Sequence, residues 1–200
     1  MQFKHAGWCF FAVSLLVFGK TGDSQAVPQA TAGSGQAFSV GLGASSYDVD
    51  WGQGRMLGGT VWGDWHPKQV TGRFYGLGLE VEARDISLNH SSSQPSNFRQ
   101  DTVGGGIIYS WPHYARLRPY GKFLMSYGSI DFLTPLFPTY THDTRTVLAP
   151  GLGFDYRVYG PLLVRVDYEY QFWQQLFSGT LEPQGFTVGA AYAFGSGIGR

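Results

Sequence analysis

Residues Leu162–Phe172 read LLVRVDYEYQF, and their alternation decides how the rest of the chain is read. The even positions are Leu162, Val164, Val166, Tyr168, Tyr170 and Phe172. The odd positions after Leu163 are Arg165, Asp167, Glu169 and Gln171. A strict period of two belongs to a β-strand, whose side chains point alternately to opposite faces. A helix would scatter the three charges around its circumference. One face here suits hydrocarbon and the other carries both signs of charge. The expected architecture is all-β: an eight-stranded antiparallel up-and-down transmembrane β-barrel, with this stretch as its seventh strand.

Composition fits that reading. Charged residues make up 14% of the 200 residues, against about 25% in an ordinary soluble domain. Outside the N-terminus no run of about 18 apolar residues marks a transmembrane helix. Residues 1–26 read as a secretory signal peptide: Lys4 is followed by the apolar run Ala6–Phe18, and Ser24-Gln25-Ala26 offers small residues for cleavage after Ala26. Lys20, Asp23 and Gln25 end the apolar run too early for an anchor. Cleavage removes Lys4, Lys20 and Asp23, leaving twelve basic and thirteen acidic side chains. That balance gives no electrostatic case for nucleic-acid binding. The only cysteine, Cys9, leaves with the signal, which excludes disulfides and cysteine metal sites from the mature chain.

Residues 27–36 form a polar, flexible N-terminal segment, residues 37–194 the barrel, and residues 195–200 a C-terminal tail. Eight alternating runs are expected as strands: Ala37–Tyr47, Arg55–Trp65 (where Trp62 breaks the alternation), Phe74–Leu88, Gln100–Trp111, Pro119–Asp131, Arg145–Val158, Leu162–Phe172 and Gln184–Phe194. Each has about the length that a tilted strand needs to cross a bilayer. The connections after strands two, four and six are short. Those after strands three, five and seven are longer or more polar: Asn89–Arg99, Phe132–Thr144 and Phe177–Pro183. Short turns are periplasmic in outer-membrane barrels, so both termini are expected there. Outward aromatics fall at both strand ends, as girdles flanking an apolar band would. Trp65, Tyr75, Tyr109, Trp111, Tyr156, Tyr192 and Phe194 mark the periplasmic interface, and Tyr168, Tyr170 and Phe172 the outer one. A soluble lipocalin-type barrel alternates too, but its water-facing side would not be so rich in Gly, Ser, Thr and Ala.

With this pattern, Ala37–Phe194 resembles the eight-stranded OmpA-like and OmpX-like outer-membrane barrels. The closing strand QGFTVGAAYAF is similar to the C-terminal signal read by the barrel-assembly machinery, except that GSGIGR follows Phe194. The resemblance implies residence in the outer membrane of a Gram-negative envelope and contact with its lipid. It also implies assembly by that machinery and a porin-like fold.

The inward face collects Glu80, Glu82, Arg84, Lys122, Asp155, Arg157, Arg165, Asp167 and Glu169. Eight strands leave an interior that side chains just fill, so a salt-bridged charged network is expected there. Parity pairs Arg157 with Leu163, sets Asp155 opposite Arg165 and leaves Tyr159–Pro161 as the turn. Glu80 and Glu82 would cross the core to Arg165 or Lys122. Pro150 deletes a ladder hydrogen bond in a barrel without edges, so a bulge or irregular pairing is expected around it.

Catalytic signals are weak. The spacing His90-Ser91-Ser92 resembles the His-x-Ser pair of a lipid A deacylase barrel, but that family's flanking context is missing, no Glu follows at a suitable outward place, and a Ser-rich external loop is the better explanation. His113 and His142 lie in different connections and suggest no metal site. Gly104-Gly105-Gly106 lacks the Lys-[Ser/Thr] and the helix of a phosphate loop and reads as packing space. No catalytic residue, metal or cofactor is expected. The role read from the residues is structural or surface-interacting, through extracellular loops such as the apolar Phe132–Thr144, toward an extracellular or envelope partner. The alternatives are a lipid A-modifying hydrolase using His90 and Ser92, and a narrow passive channel through the charged core.

Overall fold

Alternating sequences leave each strand with two unlike faces, and closure of the sheet lets both be satisfied at once. The computed structural model describes residues 38–48, 55–67, 74–88, 97–111, 116–134, 137–176 and 179–194. The strands are β1 (Phe38–Asp48), β2 (Arg55–Trp65), β3 (Leu77–Leu88), β4 (Asn97–Ser110), β5 (Leu117–Thr134), β6 (Phe137–Tyr159), β7 (Leu162–Tyr170), β8 (Phe172–Leu176), β9 (Gly179–Leu181) and β10 (Gln184–Phe194). Each of β1 to β6 pairs antiparallel with the next, β6 pairs with β7, β7 with β10, and β10 with β1. β8 continues β7 against β6, and β9 continues into β10 against β8. The result is a closed eight-stranded antiparallel barrel. Among the described residues no helix is long and apolar enough to cross a membrane.

The apolar face points outward. Leu42 is 69% exposed, Val81 62% and Leu152 63%, whereas Arg165, Lys122 and Glu80 are buried. This is the reverse of a lipocalin-type barrel. The interior is layered, and the inward positions of β7 and β8 pass through every layer in turn. Leu163 packs with Trp62, Ala191 and Ala193 at the end bearing the termini. Arg165, Asp167 and Glu169 follow, then Gln171. Trp173 then joins Tyr47, Met56, Ile86, Phe98, Ile130, Val147 and Leu181 in an apolar cluster at the other end.

Several expectations are corrected. Within the connection 132–144, residues 132–134 and 137–144 are strand, and within 177–183, residues 179–181 are: β5 and β6 stay paired to Thr134 and Phe137, and β8 pairs with β9 as far as Leu176 and Gly179. Two paired strands satisfy their backbone groups in water as well as in lipid, so the pairing runs on past the alternating stretches. Phe74–Gly76 forms a turn ahead of β3. The β6–β7 connection is tighter than three residues. Tyr159 pairs with Leu162 after a register shift, leaving Gly160-Pro161 as the turn. Gly160 has φ 51°, a left-handed value that glycine adopts freely, and proline holds the next φ negative. Asp155 does pair with Arg165 and Arg157 with Leu163.

At Pro150 the pairing is irregular on one side, without a bulge. Phe123 pairs with Pro150 in unbroken register on the β5 side. On the other side the ladder stops at Gly151–Glu169 and resumes, in the same register, at Leu148–Phe172. The proline without an N–H thus lies in the gap between β7 and β8, where the Gln171 N–H bonds instead to the Pro183 carbonyl at 2.8 Å.

Residues 1–37, the sequence His90-Ser91-Ser92, His113 and residues 195–200 lie outside the described residues.

Large interior rings are accommodated by glycines on facing strands. A Cβ on Gly41 would lie 2.3 Å from the Trp62 ring, and one on Gly128 would lie 2.2 Å from the Trp173 ring. Trp62, which breaks the alternation of its strand in hydropathy, therefore keeps it in direction. Overpacking a filled core costs about 1–3 kcal/mol. Gly128→Ala is expected to lower the urea unfolding midpoint of the folded barrel accordingly; an unchanged midpoint would show that the Trp173 ring has room to move.

Candidate functional site: the charged core

The site is built from inward positions of β2, β3, β5, β6 and β7. Arg165 on β7 is its first centre. Its Nε lies 2.8 Å from Asp155 Oδ1, its Nη1 2.8 Å from Glu80 Oε2 and its Nη2 2.6 Å from Asp64 Oδ2. The guanidinium also lies over the Trp62 ring at 4.9 Å and the Tyr120 ring at 4.7 Å. Lys122 on β5 is the second centre. Its Nζ is 3.1 Å from Glu80, 2.7 Å from Glu82, 2.7 Å from Asp167 and 3.2 Å from Glu169. Arg84 on β3 is the third, pairing with Glu82 and, at 2.7 Å, with Glu169, while stacking over Tyr47 at 4.3 Å.

The three cations hold six carboxylates in one connected group, because Glu80, Glu82 and Glu169 each bridge two cations. Around it Ser39 donates to Asp64 at 2.9 Å, Tyr120 to Asp167 at 2.9 Å, and Gln171 to Glu169 at 2.9 Å. Ser45 joins Thr60 and Thr187 across three strands. Glu80, Glu82 and Asp167 come close enough to hold a metal ion. The Lys122 ammonium already occupies that point, so their oxygens are spent on it.

Eight of the nine inward charges read from the sequence meet here. Arg157 does not: it is only partly buried and stands outside these pairs, beside the β6–β7 turn. Sequence reading missed Asp64, although it stands on the polar face of β2. It also missed Tyr47, Trp62 and Tyr120, because an aromatic position does not announce which way it points. The facing glycines were the available signal.

The ten interface aromatics all lie exposed or partly exposed on the outer wall. Trp65 and Phe194 both pair with Phe38 in one rung at the termini end, and Tyr109 meets Trp111 edge-on at 5.2 Å. At the other end the Tyr168 hydroxyl donates to Gln184 at 2.6 Å, Tyr170 donates to Glu182, and Tyr170 packs on Phe172 at 4.8 Å. His142 pairs with Asp131 at 2.6 Å on the outward side of the β5–β6 hairpin.

A family model described as "Outer membrane protein beta-barrel domain" matches residues 11–194. No curated protein matches the chain. Solved structures match in fold. Neisserial surface protein A is 15% identical with a TM-score of 0.63, the match covering 79% of this chain and 97% of that one. Ail, the attachment invasion locus protein of Yersinia pestis, is 16% identical with a TM-score of 0.57, covering 78% and 97%. OprG of Pseudomonas aeruginosa is 12% identical with a TM-score of 0.55, covering 78% and 95%.

Removing one partner of a buried ion pair strands the others and costs about 3–5 kcal/mol. Lys122→Met is expected to destabilise the barrel by that order in equilibrium urea unfolding in lipid vesicles; a loss below about 1 kcal/mol would show the cation to be dispensable.

A second expectation concerns His66, just beyond the β2 strand end. Burial, with Arg118 adding to it, lowers its imidazole from an ordinary 6.5 to about 4. The unfolded chain therefore binds this proton more readily between those values, and stability from the neutral ring is complete above pH 6.5 and lost as pH falls toward 4. The unfolding midpoint of the protein minus that of His66→Gln should fall across that window.

Proposed function

This chain belongs to the family of outer-membrane β-barrel domains, and from that premise we propose that it acts at the cell surface through its outer hairpins, without catalysis. It is an outer-membrane protein in contact with the membrane's lipid. The observation that carries the reading is the occupied lumen: three cations, six carboxylates and the rings of Tyr47, Trp62 and Tyr120 fill the space between the strands. Beyond the membrane-facing wall, the β5–β6 hairpin runs on to Thr134 and Phe137 and offers a surface for an extracellular or envelope partner. On the same reading residues 1–26 are a signal removed on export, residues 27–36 a periplasmic lead-in and residues 195–200 a tail. The barrel-assembly machinery would read the β10 strand ending at Phe194.

Two measurements test this against the other roles. Planar-bilayer recordings of the purified protein should show no steady conductance; steady channels altered by Lys122→Ala or Arg165→Ala would make it a channel. Incubation with lipid A should leave the acyl chains in place. Deacylation that disappears in His90→Ala or Ser92→Ala would make it a hydrolase.

A further inference from the structure

The outer wall is not uniformly bulky. Where β2 to β5 run side by side, one rung of outward residues reads Val61, Ala83, Val103 and Tyr127, and the next rung outward reads Gly59, Asp85, Asp101 and Ser129. Ala83 within the first rung and Gly59 and Ser129 at the ends of the second leave a groove of about 440 Å³ lined by both. That volume lies within the roughly 300–1,000 Å³ of ordinary small-ligand sites. One rung is apolar, and the next carries two carboxylates. The groove therefore crosses the level at which the hydrocarbon-facing wall gives way to polar surface. Toward the termini the next rung is Gly63, Val81, Gly105 and Met125, which carries the shallow apolar track deeper along the wall.

We infer that this groove seats one acyl chain of an outer-leaflet glycolipid, with the sugar hydroxyls and amides of its headgroup donating to Asp85 and Asp101. The chemistry of the rim selects the headgroup. Arg99 sits between the two carboxylates, 2.8 Å from Asp85 and 3.3 Å from Asp101. Its single positive charge is shared by two negative ones. The rim is net negative: it repels an unshielded lipid phosphate and accepts neutral hydrogen-bond donors. Both carboxylates are exposed, with side chains 59% and 41% accessible, so their oxygens can receive such donors. The apolar rung supplies the complementary half, since a chain lying between Val61, Val103 and Tyr127 covers surface that would otherwise meet looser lipid. The inference rests on the outer-membrane placement and not on the role of the outer hairpins, so either can fail alone.

The wall allows a direct test. A Cβ on Gly59 would have nothing nearer than the Gly43 carbonyl oxygen at 3.8 Å, so a larger side chain there fills the groove without disturbing the barrel. The probes are an acylated glucosamine disaccharide, phosphatidylglycerol and phosphatidylethanolamine, each added to the full-length mature protein in mild detergent and read by native mass spectrometry. The disaccharide should be retained over both phospholipids. Gly59→Leu and Ala83→Leu should each lower that retention roughly fourfold or more, the equivalent of one methylene expelled from apolar contact. Val164→Ala, on the β7 wall across the barrel from the groove, should leave it unchanged. Asp101→Asn should narrow the preference over phosphatidylglycerol. Heat-modifiable gel mobility reports that each variant is folded, and Ala83→Leu carries the test if Gly59→Leu is not. Equal retention by the filled-groove variants would overturn the inference. So would equal retention of either phospholipid, or a dimer that groove filling abolishes.

Discussion

Charge buried in a lumen that side chains just fill must be neutralised by neighbours, and in this barrel that requirement organises everything else. Arg165, Lys122 and Arg84 each hold two to four carboxylates at ion-pair distance. Because Glu80, Glu82 and Glu169 are shared, no pair is independent, and energies of substitutions within the group would not add. The members come from strands far apart in sequence, yet closure of the sheet places them within one cross-section. Conversely, the barrel can close without a water-filled centre only because each inward carboxylate of that section lies against a cation. Facing glycines complete the arrangement by giving Trp62 and Trp173 room beside the ions.

A filled lumen moves the question of function outward. Two surfaces remain, the paired strands that continue beyond the hydrocarbon zone and the lipid-facing wall itself. They follow different rules. The hairpins obey backbone pairing and are indifferent to side-chain polarity. The wall must stay apolar, and its shape is set by where small residues interrupt larger ones. Gly59 and Ala83 are such interruptions, next to the level at which Asp85, Arg99 and Asp101 begin.

The architecture was legible in the sequence because a transmembrane strand writes its two environments at alternate positions. Leu162–Phe172 displayed both, and parity alone set Asp155 opposite Arg165. What sequence did not display was anything decided between strands. Trp62 looked out of place within β2 because the space that receives it belongs to Gly41 and Gly189 on other strands. Strand ends were misjudged at the outer hairpins, since backbone pairing leaves little trace in side chains exposed to water. Pro150 was read correctly as a missing donor. Its remedy lay in the neighbouring strand, where Gln171 turns to Pro183, and not in a bulge of its own strand. Arg157 shows the converse limit: correct parity does not say how far along the axis an inward charge stands.

The apolar cluster around Trp173 closes the core at one end and the packing of Trp62 with Leu163, Ala191 and Ala193 closes it at the other. Between these stoppers the ions are removed from the electrolyte. Exposed pairs such as Arg99–Asp85 are weakened by dissolved salt, whose screening reaches within about 8 Å at physiological strength, whereas pairs sealed from solvent are screened much less. The barrel thus keeps two classes of electrostatics. The outer class answers to the ionic medium in which the cell finds itself. The inner class answers to the protein alone, and stays much the same whether that medium is dilute or saline.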